Sequence, residues 1–452
     1  MPPLTAPNFL AFLRASKAAL HSPTASFPSL HLVLGNEACD ADSVVSALLY
    51  AFHLHAHAPP PSPRLLLPLV SCRRADWPLR REAASLLALA LPAPAPGAPP
   101  ATGAGTAELL AEALVFLDDG PLAAHAARLR AGAGNDGEAL TATLMDHNKL
   151  DSGGEGVGLR ERSVVAIVDH HADAGAHAHV AGAARQVSFD TAEGRGVGST
   201  CTLVAAAALA ATEGASGPPF DAPLAQMLLG VILLDTVGLA EAAGKTTAED
   251  RRVAGALEPL CGGAPFDPAA FHSQLAGLRN DPAFWAGLTV PQALSYDFKS
   301  FAPPGAHALR IGASAMTVPL ASLLCRGEGG GIGREMDAGI LSACAQWGVD
   351  KGVAFLVLLS AAPPPPGAVP GSVRQLAFFE PAEGCAHAPV ARAVLGKLRG
   401  CAALALREAG RGGTADGGVA WLFEQGNATA SRKQILPLLL QWAAEGAYHT
   451  PT

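Results

Sequence analysis

The sequence predicts a two-domain α/β protein. Three observations carry that prediction. Short apolar runs alternate with helical patterns through the first 235 residues, which is the signature of a parallel sheet. The chain has 452 residues, too many for one ordinary core. A shift in composition falls near residues 262–286, where Gly262-Gly263-Ala264-Pro265 is followed by Asn280-Asp281-Pro282. The expected domains are therefore 1–262, a parallel sheet with flanking helices, and 263–452, a smaller α/β domain, with the active site in the cleft between them.

In chain order, Phe9–Arg14 reads as a first amphipathic helix. Leu32–Leu34 is a strand, the turn Gly35–Ser43 follows, and Val44–Phe52 is the next helix. Leu65–Val70 is a strand despite Pro68, followed by Arg73-Arg74-Ala75-Asp76 and a helix over Leu79–Leu91. Residues 92–106, rich in Pro, Ala and Gly, form a low-complexity loop. Strands are predicted over Ala113–Leu117, Thr141–Met145 and Ser163–Val168. Gly196-Val197-Gly198-Ser199-Thr200 opens a helix running to Ala211, and a helix over Leu224–Leu234 delivers Asp235-Thr236. Beyond the boundary, strands are expected over Leu309–Ala313, Gly352–Leu359 and Gln375–Phe379, with a Pro-rich loop at 363–370.

Bulk properties narrow the function. Half of the residues are hydrophobic, 15% are charged, and the net charge is −8. There is no Lys/Arg block of the kind a nucleic-acid enzyme carries, so no nucleic-acid partner is expected. The eight cysteines include no C-x-x-C pair, which argues against a zinc ribbon and fits a reducing compartment. The beginning of the chain lacks the pattern of a secretory signal. No apolar stretch spans a membrane. A cytoplasmic location without membrane association is expected.

The chemistry lies where apolar runs end. Asp40 and Asp42 sit two apart after the first strand. Asp146-His147-Asn148 and Asp169-His170-His171 follow two later strands, and Asp235 ends a helix. Ligands gather at the carboxyl edge of such a sheet. Each Asp alone reads as a turn former or helix cap; together they form a pattern. Asp40, Asp42, Asp146, His170 and Asp235 supply four carboxylates and one imidazole, and Asn36 adds a carbonyl oxygen. This donor set suits two hard divalent cations, Mg²⁺ or Mn²⁺, and two such ions cleave phosphate bonds by in-line displacement. Gly198-Ser199-Thr200 offers backbone N–H groups to a phosphate or serves as an ordinary cap. His53, His55 and His57 do not share one helical face and read as solvated. Gly327–Gly333 imitates a phosphate-cradling loop without a strand before it.

Gly35-Asn36-Glu37-x-x-Asp40-x-Asp42-Ser43, Asp146-His147-Asn148, Asp169-His170-His171 and Leu234-Asp235-Thr236 resemble the four motifs of the DHH phosphoesterase superfamily. The G-N-E-A-C-D opening is similar to the Prune and cytosolic exopolyphosphatase branch, and Asn36 stands where family II pyrophosphatases carry His. Asp297-Phe298-Lys299 and Ser431-Arg432-Lys433-Gln434 resemble the second type of DHH-associated domain. The resemblance spans roughly residues 5–445. It implies that Asn36 and Asp40 serve one metal, that Asp42, His170 and Asp235 serve the other, and that Asp146 bridges them. It further implies that His171 contacts the substrate phosphate and assists the leaving oxygen, with Lys299, Arg432 and Lys433 binding phosphates. The implied activity is metal-dependent exopolyphosphatase, releasing orthophosphate from inorganic polyphosphate, with activity on pyrophosphate. The alternatives are a nucleotide phosphodiesterase and a Prune-like interaction protein of weak activity; the intact Asp169-His170-His171 favours catalysis.

Overall fold

The computed structural model describes residues 3–23, 27–57, 64–92, 103–132, 139–189, 196–212, 217–262, 266–303, 305, 309–325, 335–362 and 373–447. The glycine-rich stretch Gly327–Gly333 and the Pro-rich loop at 363–370 lie outside them, as does most of the loop at 92–106. The chain divides into two compact units, residues 1–279 and 280–452. The helix Pro268–Arg279 falls beyond the sequence-based boundary but packs on helices Arg81–Ala88 and Ala222–Asp235 of the first unit. Arg279 Nε also donates to Glu82 Oε1 at 2.6 Å.

The first unit is built on strands β1 (Ser29–Leu34), β2 (Arg64–Leu69), β3 (Leu140–Met145), β4 (Val164–Asp169) and β5 (Arg185–Val187). They form one parallel sheet in the order β2-β1-β3-β4-β5. The central strands are nearly continuous apolar runs because helices bury both faces. One face packs under helices Ala6–His21, Ala41–His57, Thr200–Ala211 and Ala222–Asp235. The other is covered by Leu122, Ala126 and Leu129 of the helix Gly120–Gly132. The helix Ala222–Asp235 is apolar all round and correspondingly buried.

The sheet order decides where the motifs meet. β1, β3 and β4 are immediate neighbours, so the turns carrying Asn36, Asp146 and His170 lie side by side at one edge. The chain goes from β1 to β2 on one side and returns to β3 on the other, which makes this the topological switch point.

One predicted strand is corrected. Ala113–Leu117 forms no ladder among the described residues. The helix Gly103–Ala113 consumes its start, and the remainder makes a single parallel bridge, Val70 to Phe116. Val70 N to Val115 O (3.0 Å) and Leu117 N to Cys72 O (3.1 Å) hold it beside β2.

The second unit is a mixed six-stranded sheet, ordered β10-β11-β9-β8-β7-β6. Its strands are β6 (Phe298–Phe301), β7 (Ile311–Met316), β8 (Phe355–Ala362), β9 (Val373–Glu380), β10 (Leu406–Gly413) and β11 (Val419–Gln425). Only β7 and β8 pair in parallel. Helices Ala388–Arg399 and Arg432–Ala447 pack on one another and on this core. The hairpin β10–β11 was not predicted: β10 reads Leu-Arg-Glu-Ala-Gly-Arg-Gly-Gly and has no alternation. It is an edge strand, and its Arg411 guanidinium lies 4.4 Å from the centroid of the Trp421 ring, which Arg399 also approaches at 3.8 Å. Among the described residues no helix is long and apolar enough to cross a membrane.

Candidate metal centre

The site begins with a close backbone contact. A Cβ on Gly35 would lie 2.5 Å from Ser43 Cβ and 2.6 Å from Ser43 O. Glycine therefore lets the end of β1 pass against the start of the helix Ala41–His57. Asn36 N then donates to Ser43 Oγ at 3.2 Å. Asp146 takes a left-handed backbone conformation, φ 62°, one residue past β3. Aspartate tolerates that region, and the conformation aims its carboxylate back across the strand ends.

Asp146 is the hub. Its Oδ2 accepts from Asn36 Nδ2 (2.8 Å) and Ser43 Oγ (2.7 Å). Its Oδ1 lies 3.4 Å from His170 Nε2 and 3.5 Å from His171 Nδ1. Asp146, His170 and His171 present donor atoms within 4.8 Å of one another, a grouping able to hold a metal ion.

Asp42 lies beside them, with Oδ2 3.8 Å from His170 Nε2. The helix Thr200–Ala211 wraps this carboxylate with its first N–H groups: Thr200 N (2.7 Å) and Cys201 N (2.9 Å), with Ser199 Oγ at 3.1 Å. The anion bound by this helix start is thus a side chain of the protein itself. Asp40 caps its own helix by accepting from Ser43 N at 3.0 Å. Asp235 ends its helix with Oδ2 enclosed and without a hydrogen-bond partner among the described residues.

Electrostatics agree with a cation site. Burial, then the charges of Asp146 and Asp235, push Asp42 well above the usual carboxylate range. Burial, then the charge of Asp40, pushes Asp235 up to about 6. Carboxylates crowded out of water in this way are stabilised by a bound cation, and the orphaned Asp235 Oδ2 is the kind of atom such an ion satisfies. Oxygen-rich donors with one or two imidazoles fit Mg²⁺ or Mn²⁺.

Two predicted residues show further detail. Asn36, expected to offer its carbonyl oxygen, also braces Asp146 through its amide nitrogen, and its Oδ1 accepts from Ala38 N at 2.9 Å. One carbonyl lone pair remains for a ligand. His171 is oriented by Asp169, which lies 2.8 Å from its Nδ1. Burial alone would raise the Asp169 acid, but the hydrogen bond and charge of His171 outweigh it and hold Asp169 below the usual range. Asn148 Nδ2 donates to the other Asp169 oxygen at 2.6 Å. With Nδ1 engaged, His171 keeps Nε2 for a substrate.

The sequence reading brought Asn36, Asp40, Asp42, Asp146, His170, His171 and Asp235 to one sheet edge, and the structure places all seven there. It gave no role to Ser43, Asn148, Asp169 or Asp250, whereas Ser199, read as part of a helix start, is the N-cap of the helix Thr200–Ala211. Asp250 alone had a legible signal, the capping box Thr247-x-x-Asp250. In the second unit, Arg432 Nη1 donates to Asp297 Oδ1 (2.8 Å) and Asp297 O (3.2 Å), which joins the two C-terminal motifs. Lys299 lies half-buried on β6, and Lys433 is exposed in the first turn of the last helix.

Carboxylates and histidines at the carboxyl edge of a parallel sheet, followed by a separate mixed-sheet unit, agree with the resemblance to the DHH phosphoesterases. Residues 284–442 match the family model described as the DHHA2 domain. Over 95% of its length the chain is similar to the exopolyphosphatase PRUNE1 of Rattus norvegicus, 29% identical and covering 78% of that protein. The Homo sapiens exopolyphosphatase PRUNE1 is 28% identical over the same shares. A putative exopolyphosphatase of Schizosaccharomyces pombe is 26% identical over 63% of each chain. The resemblance to the Prune branch of the DHH superfamily is thereby borne out.

Proposed function

We propose that this protein is a metal-dependent exopolyphosphatase that removes terminal orthophosphate from inorganic polyphosphate and also cleaves pyrophosphate. The observation that carries the reading is the crowding of Asp42, Asp146, His170 and Asp235 at one sheet edge, with two of the acids pushed up and one carboxylate oxygen orphaned. The names of the relatives support the same chemistry.

In this reading Asn36 and Asp40 would hold one divalent cation, Asp42, His170 and Asp235 would hold the other, and Asp146 would be shared. Mg²⁺ or Mn²⁺ bound there would supply Lewis acidity for attack of water at phosphorus. The rest falls to the protein. Asn36 and Ser43 fix the Asp146 carboxylate. Asp169 fixes the ring of His171, so that Nε2 contacts the terminal phosphate and hands a proton to the leaving oxygen. Lys299, Arg432 and Lys433 of the second unit are the cations proposed to bind phosphate, Arg432 as a charge-assisted donor and the lysines as mobile point charges. A cytoplasmic location suits this substrate.

The test is orthophosphate release from long-chain polyphosphate, tripolyphosphate and pyrophosphate, beside hydrolysis of short oligoribonucleotides, with Mg²⁺ or Mn²⁺. Fast release from the longer polyphosphates is expected. Comparable rates on oligoribonucleotides would instead establish a nucleotide phosphodiesterase, and inactivity on all substrates without divalent-ion binding would establish an interaction protein.

A further inference from the structure

We infer that Asp250 is a positioning residue for one of the two cation sites, acting through the segment Val197–Cys201 and leaving the other site alone. The inference rests on the two-ion reading above.

Asp250 is wholly buried. A buried carboxylate is costly unless donors surround it. It closes a capping box with Thr247, whose N and Oγ1 both donate at 2.8 Å. That would suffice to start the helix Ala248–Leu257. Yet Asp250 also receives Gly198 N on both oxygens (3.0 and 2.8 Å) and Thr202 Oγ1 at 2.6 Å. These donors come from about fifty residues earlier in the chain, so the carboxylate joins two distant segments. Gly198 is pressed into the joint: a Cβ there would lie 2.6 Å from Lys245 O and 2.8 Å from Thr236 Cγ2.

What the joint holds is specific. Val197 O lies 3.4 Å from His170 Nδ1, and the ring's Nε2 faces the Asp146 and Asp42 carboxylates at 3.4 and 3.8 Å. Ser199, Thr200 and Cys201 hold the Asp42 carboxylate. Thr246 Oγ1 donates to Thr236 O, beside Asp235, at 3.4 Å. One anchored joint therefore meets two of the three ligands assigned to one ion, Asp42 and His170, and the backbone of Thr236 beside the third, Asp235. It touches the shared ligand once, from Thr200 Oγ1 to Asp146 Oδ1 at 3.4 Å. Asn36 and Asp40 are held by other groups: Ser43, Ala38 and Asp146.

The experiment is Mn²⁺ titration of the metal-free, full-length protein by calorimetry, with electron paramagnetic resonance counting bound ions. The wild type should bind two ions. In Asp250→Asn one step should weaken by ~10–100-fold while the other changes less than ~2-fold, the scale of lost outer-shell support. Excess Mn²⁺ should then restore turnover, which damage to the fold would not allow. Thr202→Val removes one donor and should weaken the same step by less; it decides the matter if Asp250→Asn does not fold. Equal weakening of both steps, or no change in either variant, would overturn the inference. A wild type that binds fewer than two ions would overturn the two-ion reading itself, whatever the variants do.

Discussion

The two units of this protein treat carboxylates differently. In the first unit they are taken inside: Asp42, Asp146, Asp169 and Asp250 are buried at or behind the carboxyl edge of a parallel sheet, each held by several donors. In the second, the buried polar side chains among the described residues are neutral, such as Ser314, Ser360, Gln375 and Gln425, and carboxylates pair with arginines outside the core, such as Glu380 with Arg392, Glu408 with Arg399 and Glu424 with Arg407. Exposed pairs contribute little to stability; a buried, fully bonded set fixes geometry. The first unit therefore fixes buried carboxylates, and the second buries none among its described residues.

The sharpest way to break this contrast is Asp146→Ala. It removes the hub of the buried network and should lower orthophosphate release by more than ~10³-fold with the loss of a shared metal ligand, while circular dichroism stays close to wild type. Arg432→Gln is the counterpart in the second unit. Losing a charge-assisted contact there should raise KM for polyphosphate by ~10–100-fold and leave Mn²⁺ affinity unchanged in calorimetry. Loss of metal affinity in this variant would erase the distinction.

Stability measurements sharpen it further. Gly35→Ala sets a methyl against Ser43 backbone, which cannot yield, and should cost about 1–3 kcal/mol in denaturant titration. His31 of β1 is sandwiched between Thr141 and Thr143 Oγ1, each at 2.9 Å. Burial, then Arg64, pushes its imidazole down to about 4. The folded protein keeps His31 neutral while the unfolded chain takes up a proton below pH ~6.5. Its stability is therefore full above that pH and falls as pH drops toward 4, by about 1 kcal/mol between pH 6.5 and 5.5. Melting curves of His31→Gln should lack this part of the slope. Smallest of all, Gly396 sits in the helix Ala388–Arg399 with nothing near its missing Cβ, and Gly396→Ala should stabilise by about 0.5–1 kcal/mol.

The sequence made the site more legible than the fold around it. Asp40, Asp146, His170 and Asp235 could be chosen because each ends an apolar run. Their meeting depends on β1, β3 and β4 being neighbours, and sequence order does not state that. The strand expected at Ala113–Leu117 had the right apolar residues but lost its start to a helix. The hairpin β10–β11 was invisible because glycines and charges fill an edge strand whose Arg411 meets the Trp421 ring only in the fold. Asp250 went unread, because its bonds to Gly198 and Thr202 exist only once the chain has closed.

The most direct test of the central claim is Mn²⁺ anomalous diffraction from crystals of the protein grown or soaked with the ion. The account predicts two peaks ~3.5–4 Å apart, with Asp146 between them, one beside Asn36 and Asp40 and the other among Asp42, His170 and Asp235. An empty carboxyl edge, or peaks only elsewhere on the molecule, would contradict it.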